Sequence, residues 1–553
     1  MNHDAQRSFV KALLEEGLLV SPDILAMDGL TKEEVTTTLR RNNLPDHSFL
    51  VLTMDLYQAF LRPAGDSVSS FQDMDWLEFD GSRVLYEKKK NIKPYHAFLE
   101  TLLPSSSPLP PVLEIPRPVQ DIQHPVQHPQ LAGVHIIKSY DEPGKKRGIK
   151  DFVAHYKHRY IFASGLLRHR PELQNVISIH RLKGKQPSEQ IALIGLVYDK
   201  YVTKQGNVIL TLEDPTGSYS VFINKEGPLK DILPYVTFDE VIGVSGSVKN
   251  NLLFANSLFF PDVSYDHKPK TTTDDVCAVF ISDVHVGSRL FLEKEFLRFI
   301  DWLNGKTGNE TQRALAQKVK YLFVVGDVID GVGVYPGQES ELLIKDIYDQ
   351  YRRVKELLSF IREDIQIIMC PGNHDAVRIA EPQPRMNQFS EVLSGLKNLT
   401  LVSNPATVAV HKDEHNEGVD VLMYHGFSYD YYAASVEPIR AGGAYDRVDL
   451  IMKYLLQKRH LAPSHTSTQY VPSMTEDSLL IEKVPDIFVS GHVHKSSVNT
   501  YNGVLLVGCS CWQAKTGFQE KMGHHPDPGR VPVVNLKTRD VTIINFCDDL
   551  EMG

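Results

Sequence analysis

From residue 277 onward, five short apolar runs each stop at a cluster of Asp, Asn, His and Gly, and this recurrence limits the fold more than any other feature of the chain. The clusters are Asp283-Val284-His285 after VCAVFIS, Gly326-Asp327-Val328-Ile329-Asp330-Gly331 after YLFVV, Gly372-Asn373-His374-Asp375 after IQIIMCP, Tyr424-His425-Gly426 after VDVLM, and Gly491-His492-Val493-His494 after PDIFVS. Strand, polar cluster and helix in repetition describe an α/β fold, which gathers its chemistry where strands end. One cluster alone says little, since a lone histidine such as His425 is ordinarily a hydrogen-bonded core residue. The order of all five, D-x-H, GD-x-x-D, GNHD, H-G and GH-x-H, is specific. Asp and Asn offer oxygen, His offers neutral nitrogen, and one carboxylate can bridge two ions, so the set suits two adjacent divalent cations. Alternation within D-x-H and H-x-H predicts that both side chains of a pair leave the same side of an extended segment. A glycine beside each ligand lets the backbone come close.

The 553 residues suffice for three or four domains. Residues 1–103 read as short helices: Phe9, Ala12 and Leu13 share a face, Ser21-Pro22 is a helix start, and Thr31 with Glu34 makes a capping box. This predicts a docking module without chemistry. A proline-dense linker follows over 104–143, where His124 and His128 are read as solvated. Between Lys145 and Lys185 stand eleven Lys or Arg against Asp151 and Glu172. With Phe152, Tyr156, Tyr160 and Phe162 interleaved, the stretch is either a stacking surface for single strands or a helix with a solvated basic face and an aromatic core face. Five β-rich runs then fall in about seventy residues, with Asp214-Pro215-Thr216-Gly217 as a hairpin turn, which predicts a small barrel of OB type. Five cysteines, no secretory leader and no apolar run of ~18 residues point to a reducing compartment and a soluble protein. Cys509 and Cys511 are read as small, buried and inert strand residues. The net charge of -10 gives no support to nucleic-acid binding by the whole surface, so basic clusters are sought locally.

The five clusters in this order resemble the calcineurin-like metallophosphoesterase superfamily. The helical module, barrel and phosphoesterase in succession resemble the small subunits of archaeal family D DNA polymerases. GNHDAVRIAEPQP (372–384), HLAP (460–463) and VPVVNL (531–536) carry that closer likeness. The resemblance implies a multidomain α+β chain: a helical module at 1–103, the linker at 104–143, a basic lead-in plus OB-fold at 144–268, and a four-layer α/β/β/α phosphoesterase at 269–553. It also implies that Asp283, His285 and His494 bind one metal, Asn373, His425 and His492 the other, and that Asp327 bridges them. His374 would then protonate the leaving oxygen, with Asp330 orienting its ring, while Asp375 is read as a cap for the following helix. Manganese is the favoured ion, with Fe²⁺, Zn²⁺ or Mg²⁺ as alternatives. The implied activity is 3′–5′ exonucleolytic proofreading beside a large polymerase subunit, on DNA with single-stranded or frayed 3′ ends, in the cytoplasm at the nucleoid. A sliding clamp is a further possible partner. Lys145, Lys146, Arg147 and Arg378 are the candidate nucleic-acid contacts. A non-catalytic scaffold that docks the large subunit and DNA is the alternative. Protein phosphatases of the superfamily usually carry arginines where Gly331 and Pro371 stand here.

Overall fold

The structure, a computed structural model, describes Leu19, Val20, Glu34, Val35, Thr37, Val51 and Leu52, and residues 133–547 except 141–143, 185–189, 415 and 522–523. The chain divides into two compact units, 1–125 and 126–553. In the first, Glu34, Val35 and Thr37 are helical, and β1 (Leu19–Val20) pairs in parallel with β2 (Val51–Leu52). Phe9, Ala12, Leu13, Ser21, Pro22, Thr31, His124 and His128 lie outside the described residues.

The second unit corrects the expected linker. Residues 134–139, assigned to it by their proline-rich neighbours, form β3 (Val134–Ser139), which pairs antiparallel with the distant strand at 406–410. Helix α1 (Ile149–Arg168) follows, started by the Gly148 N–H bonded to Asp151 Oδ2 at 2.8 Å. Its aromatic residues turn inward: the Tyr160 hydroxyl donates to Ile194 O, Tyr156 meets the Tyr470 hydroxyl, and Phe152 stands edge-on to the Tyr470 ring. Lys150 and Lys157 stay exposed, so the helix carries a solvated basic face over an aromatic packing face.

Five strands, β4 (Gln190–Val202), β5 (Val208–Asp214), β6 (Gly217–Ile223), β7 (Val241–Lys249) and β8 (Leu252–Phe259), close a barrel in the order β4-β5-β6-β8-β7. Alternate residues fill it, among them Leu193, Leu210, Leu212, Val221, Val244 and Leu253, all fully buried. The expected hairpin turn is present: Asp214 Oδ1 accepts from Thr216 N and Oγ1, and Oδ2 accepts from Ile179 N.

The remaining strands are β9 (Cys277–Ile281), β10 (Val319–Val325), β11 (Gln366–Cys370), β12 (Leu399–Leu401), β13 (Ala406–Val410), β14 (Val419–Met423), β15 (Ile487–Ser490), β16 (Ser497–Tyr501), β17 (Val504–Gly508), β18 (Arg530–Asn535) and β19 (Val541–Asn545). They form two six-stranded sheets, β12-β11-β10-β9-β18-β19 and β16-β17-β15-β14-β13-β3. Phe280, Phe323, Ile368, Val408, Met423 and Val489 pack between the sheets. Helices α2 (Glu293–Leu303) and α3 (Ile347–Ser359) cover the first sheet through Phe296, Phe299, Trp302 and Val354. Helices α4 (Tyr429–Ser435) and α5 (Val448–Lys458) cover the second. The result is the expected four-layer α/β/β/α stack, and coverage on both faces explains why the central strands β9, β10, β11, β14, β15 and β17 are buried almost throughout. All five cysteines are free.

The barrel helix is fastened to the phosphoesterase by one buried network. Asp477 Oδ2 accepts from Arg159 Nε at 2.9 Å and His460 Nε2 at 2.8 Å, with His155 Nε2 at 3.3 Å; Arg159 also donates to Pro463 O. The HLAP segment is thus an anchorage for α1. Burial, with Arg159 alongside, pushes His460 down to about 4. Asp477 is held well below the usual carboxylate range: burial opposes its charge, and His460 and Arg159 outweigh that. A histidine whose pKa is lower folded than unfolded contributes stability that is complete above about pH 6.5 and is lost towards pH 4, here about 3 kcal/mol, and Asp477 acts in the same direction below pH 3.8. Thermal melts of Arg159→Met should therefore show a weaker loss of Tm between pH 6.5 and 4 than the wild type; parallel curves would assign the acid sensitivity elsewhere.

Candidate metal centre

Five loops leave the ends of β9, β10, β11, β14 and β15 and bring two groups of donors together. In the first, His285 Nε2 lies 3.2 Å from His494 Nε2, and Asp283 Oδ1 is 3.3 Å from the same His494 nitrogen. Asp283 is fully buried, and its Oδ1 has no hydrogen-bond partner among the described residues. In the second, Asn373 Oδ1 lies 3.0 Å from both His425 Nε2 and His492 Nδ1, and His425 Nε2 is 3.2 Å from Asp327 Oδ2. The same Asp327 oxygen is 4.0 Å from His285 Nε2, between the two groups.

Each histidine is held through its other nitrogen. His285 Nδ1 faces Asp330 Oδ1 at 3.1 Å, His425 Nδ1 faces Val325 O at 2.9 Å, His492 Nε2 faces Asp430 Oδ2 at 3.2 Å, and His494 Nδ1 faces the Gln519 amide at 2.9 Å. Such outer partners orient metal-binding imidazoles. Facing ring nitrogens, a shared amide oxygen and an orphaned buried carboxylate oxygen leave a concavity rich in lone pairs that only a cation satisfies. The donor set fits one or two divalent metal ions.

Burial disfavours charge throughout this site, yet the donor carboxylates Asp283 and Asp327 are held below their ordinary range. Asp327 is held well below its ordinary range against burial by His425, His374 and His285. Against the same burial, Asp327 and Asp283 push His425 up to about 10.

The backbone departs from the extended form that alternation predicts. Asp283, His285, Asp327, His492 and His494 have φ of +51°, +54°, +49°, +71° and +58°. Left-handed φ at non-glycine residues costs about 1–3 kcal/mol each and persists where surroundings enforce it. Here Asp283 N donates to Gly326 O, His285 N to Asp327 O and His492 N to Asp283 Oδ2, so each loop is bent against another. Same-side presentation comes from alternate left-handed kinks. The glycines leave room for neighbouring side chains: a Cβ on Gly491 would stand 1.9 Å from Ser282 Oγ and 2.6 Å from Asp283 Oδ2, and one on Gly372 would stand 2.2 Å from Asp327 Oδ1.

His374 makes no hydrogen bond through Nε2 among the described residues; its Nδ1 is 2.8 Å from the backbone oxygen of Asp330, and its ring is edge-on to His285. The Asp330 carboxylate, expected to orient His374, instead serves His285 and accepts from Gln338 and Gln513, because the bend after β10 turns only its carbonyl towards His374. Asp375 caps no helix. It is buried beneath the site, accepting from Gly372 N, Val328 N and Ile329 N, and so ties two of the loops together. Arg378, half-buried, donates to Ala380 O and Pro382 O and lies over the Tyr140 ring. Lys145 and Lys146 are exposed and Arg147 half-buried just before α1, and none joins either donor group. Cys511 is fully buried and donates through Sγ to Gln513 O at 3.4 Å. Sequence reasoning missed Asp430, Gln338, Gln513 and Gln519, whose isolated positions carry no spacing signal.

The calcineurin-like phosphoesterase family model matches residues 278–496, which hold all five clusters. The DNA polymerase II small subunit of Methanothermobacter thermautotrophicus is 42% identical over 389 residues, covering 70% of this chain and 78% of the relative. That of Halobacterium salinarum is 38% identical over 399 residues, covering 72% and 75%, and that of Archaeoglobus fulgidus 37% over 437 residues, covering 79% and 85%. Identity at this level over more than two thirds of the chain places it in the family of archaeal DNA polymerase II small subunits, with a metallophosphoesterase centre whose donors are in place.

Proposed function

We propose that the chain is a metal-dependent 3′–5′ exodeoxyribonuclease that proofreads for a larger polymerase subunit. The observation that carries this reading is the pair of donor groups with His374 beside them. Asp283, His285 and His494 would hold one cation, Asn373, His425 and His492 the other, and Asp327 both; the mixed nitrogen and oxygen set suits Mn²⁺, Fe²⁺ or Zn²⁺, and the family resemblance favours manganese. When bound, the cations supply Lewis acidity to the scissile phosphate and the attacking water. His374, fixed through Nδ1 on Asp330 O, presents Nε2 to the reacting phosphate. As the imidazolium it donates its proton to the departing 3′ oxygen as the new P–O bond forms, releasing a 5′-mononucleotide. Asp330 holds His285 through Nδ1, which would leave Nε2 turned towards a cation held with Asp283 and His494.

The test is digestion of 3′-labelled and 5′-labelled single-stranded DNA with Mn²⁺ or chelator, by the chain alone and with its large subunit. Release of mononucleotides from the 3′ end with Mn²⁺ only is the expected result. Absence of cleavage by the metal-loaded complex would leave the scaffold reading, in which the chain docks the large subunit and DNA whether or not metal is present.

DNA contact by the basic lead-in is tested by salt. Reversing charge at Lys145, Lys146 and Arg147 should weaken single-strand binding and flatten its log–log salt dependence by roughly 2, at ~0.7 for each phosphate no longer neutralised. An unchanged slope would remove these residues from the DNA path.

A further inference from the structure

Behind the Asn373–His425–His492 group lies a pair of buried side-chain amides that the mechanism does not use. Gln383 and Asn404 are 2% and 0% exposed. Gln383 Nε2 donates to Gly372 O at 2.9 Å, next to Asn373, and to Arg378 O at 3.2 Å. Gln383 Oε1 accepts from Asn404 Nδ2 at 2.7 Å, and Asn404 Oδ1 accepts from His425 N at 2.8 Å. The two backbones also exchange hydrogen bonds at 2.7 and 3.0 Å. One continuous line of bonds therefore runs from the backbone beside one donor to the backbone of another.

Each amide has a single usable orientation. Gly372 O can only accept and so must meet the Gln383 NH₂, and His425 N–H can only donate and so must meet the Asn404 carbonyl, which together fix both side chains. Two amides in an apolar interior contribute little to net stability compared with apolar residues of like shape. What they supply here is position. They touch the loops of the second donor group, whereas Asp330, Gln338, Gln513 and Gln519 brace the first. Gln383 belongs to the EPQP end of the GNHDAVRIAEPQP stretch, which carries none of the five clusters' donors beyond Asn373.

We propose that Gln383 and Asn404 are positioning residues for one of the two cation positions, setting the affinity at Asn373–His425–His492 and leaving that at Asp283–His285–His494 unchanged. This rests on the two-cation reading above. The full chain is titrated with Mn²⁺ alone, by calorimetry and by electron paramagnetic resonance, without DNA. In Gln383→Met, which keeps the volume, one binding step should match the wild type and the other should be about 10- to 100-fold weaker. The spectrum of a coupled manganese pair should give way to that of an isolated ion at substoichiometric loading of the weak position. Gln383→Glu keeps the bond from Asn404 and loses those to Gly372 O and Arg378 O, and should show the same one-sided loss. Adding Asn404→Leu to Gln383→Met should cost little more than either alone, since both break one line of bonds. Two wild-type binding steps in Gln383→Met, an equal loss at both positions, or fully additive losses would each overturn the proposal. Because binding is read without substrate, failure here stays distinct from failure to cleave 3′ ends.

Discussion

Asp327→Asn should weaken both cation positions together and stop cleavage. The amide keeps the shape of the carboxylate and can still accept the His374 N–H through its oxygen, a bond of 2.8 Å in the native protein. That choice points its NH₂ group at His425 Nε2 and His285 Nε2, where a cation needs a lone pair and a negative charge. Removing one partner of a buried charge pair costs about 3–5 kcal/mol, or roughly 10²- to 10⁴-fold in affinity. Mn²⁺ titration and nuclease rates measured on the same preparation check this. Two ions bound at wild-type affinity with full activity would place the bridging charge elsewhere.

His374→Ala should separate binding from chemistry. No cation donor is removed, so both ions should be retained, while DNA cleavage falls by ~10²- to 10⁴-fold, the usual contribution of a positioned acid. The sharper comparison uses a p-nitrophenyl phosphodiester, whose leaving oxygen departs without a proton. The variant should cleave that ester at close to the wild-type rate. An equal loss on both substrates would make His374 a group that stabilises phosphate charge and not the proton donor.

The donors are legible because each belongs to a short motif at a strand end, and the order of five motifs is information no single residue holds. Asp283, His285, Asp327, Asn373, His425, His492 and His494 are brought together as that order implies. How they are presented is not legible: period-two alternation describes a strand, and whether a loop kinks into left-handed φ depends on bonds such as His285 N to Asp327 O from another loop. The role of Asp330 escapes sequence reading for a related reason. Spacing tells which residues stand near a turn, while the turn's own φ and ψ decide whether carbonyl or carboxylate faces a given ring. The strand at 134–139 is hidden by composition, since prolines nearby suggest a linker and its pairing partner lies at 406–410.

That strand has a mechanical meaning. The chain enters the second sheet at β3, leaves to build α1 and the barrel, and returns through Asp262, whose N–H bonds Gln457 O and whose carboxylate takes the Tyr501 hydroxyl. The barrel is therefore tethered at both of its ends. A module on one tether swivels and absorbs a pull as rotation, whereas one on two tethers passes it on. Tension applied to the barrel would travel down both attachments into the sheets whose ends carry the donor loops, with little slack along the way.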